Sequence, residues 1–192
     1  MTTAALFGCT GAVDSQILAT LLATDASSSV KTISRRLPNA PFLVFNAVCT
    51  TTATAGSIKN QWKIDHDLCI GNARAAKDAG VKPDVYISSV GTRSLLWGWV
   101  PYSKMKVGVE GAIKELGFEN AIILRPGMTI GRERSKAPIL EKLVESLKSD
   151  LSTIGRAAVA ATHRTEEGKA LSRYWMLEQA DIVQLGRDEW KE

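Results

Sequence analysis

Cysteine and histidine are scarce in this chain of 192 residues, and each shortage removes a class of function. The three cysteines, Cys9, Cys49 and Cys69, are odd in number and lack metal-ligand spacing. That argues against a disulfide framework and a thiolate metal knuckle, and makes reduced thiols of an intracellular protein the expectation. The two histidines, His66 and His163, lie far apart, so no metal site is expected and both read as surface or helix residues. No apolar run approaches the ~20 residues of a membrane span, which excludes an integral membrane segment. Lys and Arg total 24 against 20 acids and are spread along the chain, so no nucleic-acid surface is expected. Repeats, linkers and low-complexity stretches are absent, and the length suits one domain over residues 1–192. The first strand pattern begins within a few residues of Met1. No cleavable leader is therefore expected there, and with the thiols this points to a cytoplasmic protein.

What the chain does hold is a regular alternation of strand and helix patterns. "AALFG" reads as a strand and "SQILATLLAT" as an amphipathic helix, then "VKTIS" and "FLVFNAV" as strands. "NQWKIDHDLCIGNARAAKDAG" is a long helix stopping at Gly80, and "DVYISS" a strand. "YSKMKVGVEGAIKELG" is a helix stopping at Gly117, and "NAIILRPG" a strand. "PILEKLVESLKSDLSTIGRAAVAAT" reads as one helix, followed by the less regular "RYWMLEQADIVQLGRDEWKE". Such alternation predicts an α/β fold: a Rossmann-like, mostly parallel sheet with helices on both faces. One connection is short. Between "VKTIS" and "FLVFNAV" only "LPNAP" remains after Arg35 and Arg36, whereas a parallel crossover with its helix needs at least ~10–12 residues. The expectation is a shortened fold lacking the crossover after strand two, with "FLVFNAV" either not parallel to strand two or locally distorted.

Three groups of residues carry chemistry. Gly8 and Gly11 form two thirds of a GxxGxxG turn between strand and helix, where backbone N–H groups can meet a pyrophosphate. Taken alone the pair is equally an ordinary strand–helix turn, and Asp14 stands where the third glycine belongs. Arg35 and Arg36 follow strand two, where an NAD-binding protein has an acid for the ribose. Two guanidinium groups favour a 2′-phosphate, hence NADP, although an isolated basic pair reads as a solvated loop. Tyr102 and Lys106 sit four apart on one helix face, 13 residues after Ser89 at a strand end. There Lys106 can hold a cofactor ribose and lower the phenol's pKa, so that Tyr102 protonates a carbonyl oxygen that Ser89 also hydrogen-bonds.

With these motifs, the chain resembles the atypical short-chain dehydrogenase/reductases related to the Tat-interacting protein, especially their fungal mitochondrial (FMP-type) branch. "ALFGCTGAVDSQILATLLA", "TISRR", "NQWKIDHDL", "YISSVG", "PYSKMK", "GFENAIILRPGMTIGRERS" and "QADIVQLGRDEWKE" carry the resemblance, which spans nearly the whole chain. It implies a Rossmann fold, NADP (NADPH) as cofactor, and a reductase activity of undefined substrate; the Ser89, Tyr102 and Lys106 set makes a small-molecule carbonyl compound the expected substrate. By motif, Gly8, Thr10 and Gly11 would line the phosphates and Arg35 and Arg36 the 2′-phosphate. Ser89, Tyr102 and Lys106 would be catalytic, and Pro126 and Gly127 would lie beside the nicotinamide. Departures from the pattern are Asp14, the short segment after Arg36, Cys49 in place of a glycine, a shortened stretch between "ESLKSD" and "STIGRAAVAA", and Asp65 where many relatives of the fold place asparagine. Trp97 and Trp99, just before Tyr102, would form an apolar wall over the substrate or a patch for a partner or membrane surface, while Trp175 and Trp190 would anchor the C-terminal segment. The alternative to an enzyme is a weak or silent NAD(P)-binding relative acting as a scaffold, seated peripherally on the mitochondrial outer membrane.

Overall fold

The computed structural model describes residues 3–7, 12–24, 29–33, 43–94, 98–127, 129–130 and 149–190. Six strands form one sheet in the order β2-β1-β3-β4-β5-β8, and every neighbouring pair is parallel. They are β1 (Thr3–Phe7), β2 (Ser29–Ile33), β3 (Leu43–Asn46), β4 (Pro83–Ile87), β5 (Asn120–Leu124) and β8 (Tyr174–Leu177). A small parallel pair, β6 (Thr129–Ile130) and β7 (Ser149–Asp150), stands apart from it.

The central strands are apolar on both faces because helices cover both. Leu6, Phe45, Val85, Ile87, Ile122 and Leu124 meet Ile17 and Leu21 of α1 (Ala12–Ala23) and Ile154, Ala157 and Ala158 of α6 (Leu151–Glu166). The alternate residues, Ala5, Val44, Tyr86, Ala121 and Ile123, meet Ala73 and Ala76 of α4 (Cys69–Asp78) and Val109 and Ile113 of α5 (Pro101–Leu116). The expected α/β sandwich is therefore present. The glycine stops are where the sequence put them, Gly80 with φ 76° and Gly117 with φ 62°.

β3 lies beside β1 on the side away from β2, so "FLVFNAV" does run parallel to strand two. Ile33 pairs with Phe7 and Leu43 with Ala4, so the connection is residues 34–42, which lie outside the described residues. Nine residues reach ~30 Å when extended, enough to cross the ~10 Å of two strand spacings. The strands are shorter than their apolar runs, and that freed the extra length. Nine residues still fall short of a crossover with its own helix.

Two elements differ from expectation. The expected tail helix from Pro138 onward does not run through Asp150, because Asp150 caps a new helix: its Oδ1 accepts the Thr153 N–H at 2.6 Å and α6 starts at Leu151. The segment read as irregular contains β8, in which buried Trp175 and Leu177 alternate with exposed Met176. It continues into α7 (Gln179–Val183) and a π-helical turn, Gln184–Asp188. Trp190 packs on the core below, so both tryptophans anchor this segment as expected. The long helix before β4 runs as α3 (Ile58–Trp62), a π-helical stretch Lys63–Leu68, and α4, after the short α2 (Thr52–Ala55).

Candidate active site

β1 is followed by β2 on one side, while β3 and the later strands lie on the other, so the strand order reverses at the β1/β3 boundary. In open parallel sheets a crevice forms beyond the carboxyl ends of the strands at such a point. Asn46, the last residue of β3, is buried there. Its Nδ2 donates to the Cys69 carbonyl at 3.0 Å, and its Oδ1 has no partner among the described residues.

The turn after β3 is fixed by Asp65, buried in the π-helical stretch. Its two oxygens accept the Thr50 N–H at 2.7 Å and Gln61 Nε2 at 3.0 Å. Gln61 Nε2 also donates to the Thr50 carbonyl at 3.2 Å. The carboxylate thus works as a clamp on the backbone beside exposed Cys49, a role the sequence did not disclose.

Lys106 is the best-defined of the expected catalytic residues. It lies on the sheet-facing side of α5, is 2% exposed, and donates from Nζ to the Ile87 carbonyl at 3.0 Å. Its ammonium stands 4.9 Å from the Tyr86 ring centre and 5.9 Å from that of Tyr102. Burial works against the charged amine, while the surrounding Tyr86 and Tyr102 phenols and Cys49 and Cys69 thiols work for it. The net direction is upward, so Lys106 keeps its charge at neutral pH. Tyr86 is fully buried with its hydroxyl unpartnered among the described residues, and burial pushes that phenol up.

Tyr102 lies in the first turn of α5, behind Pro101 at the helix start, with 38% of its surface exposed. Ser89 is half-buried just beyond β4, in a turn where Thr92 Oγ1 donates to its carbonyl at 3.2 Å. The next residue ties this turn to the end of β5, since the Val90 N–H donates to the Pro126 carbonyl at 3.0 Å. Gly127 in turn donates its N–H to Gln179 Oε1 at 2.7 Å. Ser89, Tyr102, Lys106, Pro126 and Gly127 therefore share one end of the sheet. Gly8, Thr10, Gly11, Arg35 and Arg36 lie outside the described residues, as does Trp97. Asp14 belongs to α1 by its backbone. Trp99 is 77% exposed, with Lys104 Nζ 5.6 Å from its ring centre.

Glu110 and Arg125 were not singled out from the sequence, yet they form the densest polar contact here. Glu110 accepts from Ser88 Oγ at 2.6 Å, from Arg125 Nε and Nη2 at 2.9 and 2.6 Å, and from Arg93 at 3.2 and 3.3 Å. Burial would raise this carboxyl, but the Arg125 and Ser88 bonds outweigh it and hold it below the usual range. Arg125 is raised by the same bonds, and its Nη1 donates to Glu178 at 2.8 Å. The signal was present: Glu110 falls one helical turn after Lys106, and Arg125 directly precedes Pro126. Among the described residues no group of three or more His, Cys, Asp or Glu could hold a metal ion, and no helix is long and apolar enough to cross a membrane. His66 instead pairs with Asp67 at 2.8 Å and packs against Gly108.

Six parallel strands with helices on both faces and a strand-order reversal between β1 and β3 define a Rossmann-like α/β fold. The chain is similar in fold to MoeE5 in complex with UDP-glucose and NAD, with TM-score 0.67, 13% identity, and coverage of 97% of this chain and 81% of that one. UDP-galactose 4-epimerase gives TM-score 0.68 at 13% identity, covering 92% and 76%. RMD from Pseudomonas aeruginosa complexed with NADPH gives 0.62 at 15%, covering 85% and 73%. No protein-family model matches the chain. Its sequence is 59% identical to protein fmp52-2, mitochondrial, of Aspergillus oryzae over 229 residues, covering all of both chains. It is 46% identical to protein fmp-52, mitochondrial, of Neurospora crassa, covering 100% of this chain and 98% of that one. The chain belongs to this fungal FMP52 family. Its 192 residues fill 229 alignment positions that cover both proteins, so 37 internal positions of the Aspergillus oryzae relative have no counterpart here. The relatives are named as mitochondrial proteins, which overturns the cytoplasmic placement expected above. A strand pattern that starts close to Met1 and three thiols do not fix the compartment.

Proposed function

We propose that this protein is a mitochondrial NADP-dependent reductase of a small carbonyl compound, built as one NAD(P)-binding Rossmann-like domain over residues 1–192. Its type is the short-chain dehydrogenase/reductase, of the atypical group related to the Tat-interacting protein. The observation that carries this reading is the buried Lys106 cation, held by the Ile87 carbonyl below the solvent-facing Tyr102 at the carboxyl end of a parallel sheet. The described residues fit a nicotinamide dinucleotide: the orphaned Asn46 Oδ1 and the Lys106 ammonium lie at the switch-point end of the sheet. Gly8, Thr10 and Gly11 would hold its phosphates and Pro126 and Gly127 would flank its nicotinamide. Bound there, the dinucleotide supplies the hydride.

The rest is done by the chain. Ser89 donates a hydrogen bond to the substrate carbonyl oxygen and orients it. Tyr102 releases its hydroxyl proton to that oxygen, so the carbonyl becomes an alcohol. The fixed Lys106 charge stabilises the negative charge left on the phenol oxygen, and its ammonium would also hold the cofactor ribose. Solvent then returns a proton to Tyr102, which its exposure permits.

Arg35 and Arg36, which follow Ile33 of β2 by two and three positions in the sequence, support NADP over NAD. Titration with NADPH and NADH, followed by tryptophan fluorescence, is expected to give saturable binding with NADPH the tighter ligand. Arg36→Ala should weaken NADPH by tenfold or more and leave NADH within twofold. Equal losses would remove the 2′-phosphate role, and absence of any saturable binding at low salt would end the enzyme reading.

A further inference from the structure

Among the described residues, the most elaborate polar contact belongs to groups with no part in the chemistry above. Glu110 is fully buried, and both of its oxygens are taken by bonds from three separate segments. Ser88 comes from the end of β4, Arg93 from the turn that follows, and Arg125 from the end of β5. Ser88, Arg125 and Glu110 itself each lie close in sequence to a residue of the site. Ser88 adjoins Ser89, Arg125 adjoins Pro126, and Glu110 follows Lys106 by one turn of α5.

The same knot reaches the C-terminal segment. Arg125 Nη1 donates to Glu178 at 2.8 Å, Gly127 N–H to Gln179 at 2.7 Å, and Tyr174 Oη to the Glu110 carbonyl at 3.1 Å. A buried ion pair of this kind is weak evidence for stability, since well-packed apolar residues often replace one without loss. What it does impose is direction: a bidentate guanidinium fixes the angle as well as the distance between two segments. We propose that Glu110, together with Arg125, is a positioning residue that locks the Ser88–Ser89 turn and the Pro126–Gly127 strand end onto the helix carrying Tyr102 and Lys106. This rests on the reductase reading for its consequence in turnover, and on geometry alone for the locking.

Amide hydrogen exchange of the full chain tests the locking without cofactor or activity. Ser88→Ala removes one bond and leaves the ion pair intact, so it keeps the test alive if Glu110→Gln fails to fold. Glu110→Gln is expected to speed exchange at least tenfold at both Ser88–Thr92 and Arg125–Gly127, with α6 unchanged. Ser88→Ala should release only the first segment, and Ser88→Thr should restore it. In turnover, Ser88→Ala should lower kcat at least tenfold while the NADPH Kd and the substrate KM stay within threefold. Wild-type exchange in both segments, or an equal rise that includes α6, would overturn the proposal. So would protected kcat in a Ser88→Ala protein whose turn has loosened. Failure of the reductase reading shows separately, as absence of saturable NADPH binding and of carbonyl turnover in the unsubstituted protein, with the exchange pattern intact.

Discussion

Asp84→Asn is expected to raise stability by about 4 kcal/mol at pH 8 and to leave it nearly unchanged at pH 4. Asp84 lies in the middle of the sheet on β4, fully buried, and neither carboxylate oxygen has a partner among the described residues. Burial alone pushes its pKa from 3.8 to about 7. In the unfolded chain the group ionises near 3.8, so between there and about 7 the folded state holds a proton that the unfolded state has released. Stability from this group is complete below pH 3.8, falls as pH rises, and is fully lost above about 7. Asparagine has nearly the same shape and no charge to desolvate, while every other titrating group is common to both proteins and cancels. Urea unfolding of the two proteins at several pH values checks this. Curves that stay parallel from pH 4 to 8 would show that the carboxylate has found a solvated or paired state.

Tyr102→Phe is expected to lower kcat by about 10²–10⁴-fold, the range for loss of a general acid, with NADPH binding within twofold of wild type. The substitution removes one hydroxyl from a side chain that is already partly exposed, so the packing of α5 on the sheet through Met105, Val109 and Ile113 is unaffected. Lys106 keeps its bond to the Ile87 carbonyl and its place against Tyr86. Steady-state reduction of a panel of aldehydes and ketones at saturating NADPH gives the readout. Turnover within tenfold of wild type would mean that the proton comes from another group.

Much of the architecture was legible because a strand buried on both faces and a helix buried on one write different periods into the sequence. The Gly80 and Gly117 stops, the strands at "DVYIS" and "NAIIL", and the Tyr102–Lys106 spacing all follow from such local rules. Residues whose meaning comes from contacts distant in sequence were hidden. Glu110 reads as one more acid on a helix until Arg125 and Ser88 are seen to converge on it, 15 and 22 positions away. Asp65 reads as a departure from an asparagine until the Thr50 N–H arrives to be accepted. β8 was passed over because four residues with two buried side chains give too short a pattern to separate from a loop. The cap at Asp150 was hidden by the charged run before it, which has the spacing of a continuing helix.

Among the described residues β8 is the last strand of the sheet in chain order, and it closes against β5, made some fifty residues earlier. β5 has no partner on its outer side until Tyr174–Leu177 exists, and Arg125 cannot share its charge with Glu178 before that residue is made. Contacts spanning more than 50 residues close late, after the loops between them have lost their freedom. A nascent chain would thus hold Ser89, Tyr102 and Lys106 well before Glu178 and Gln179 could fix Arg125 and Gly127 beside them.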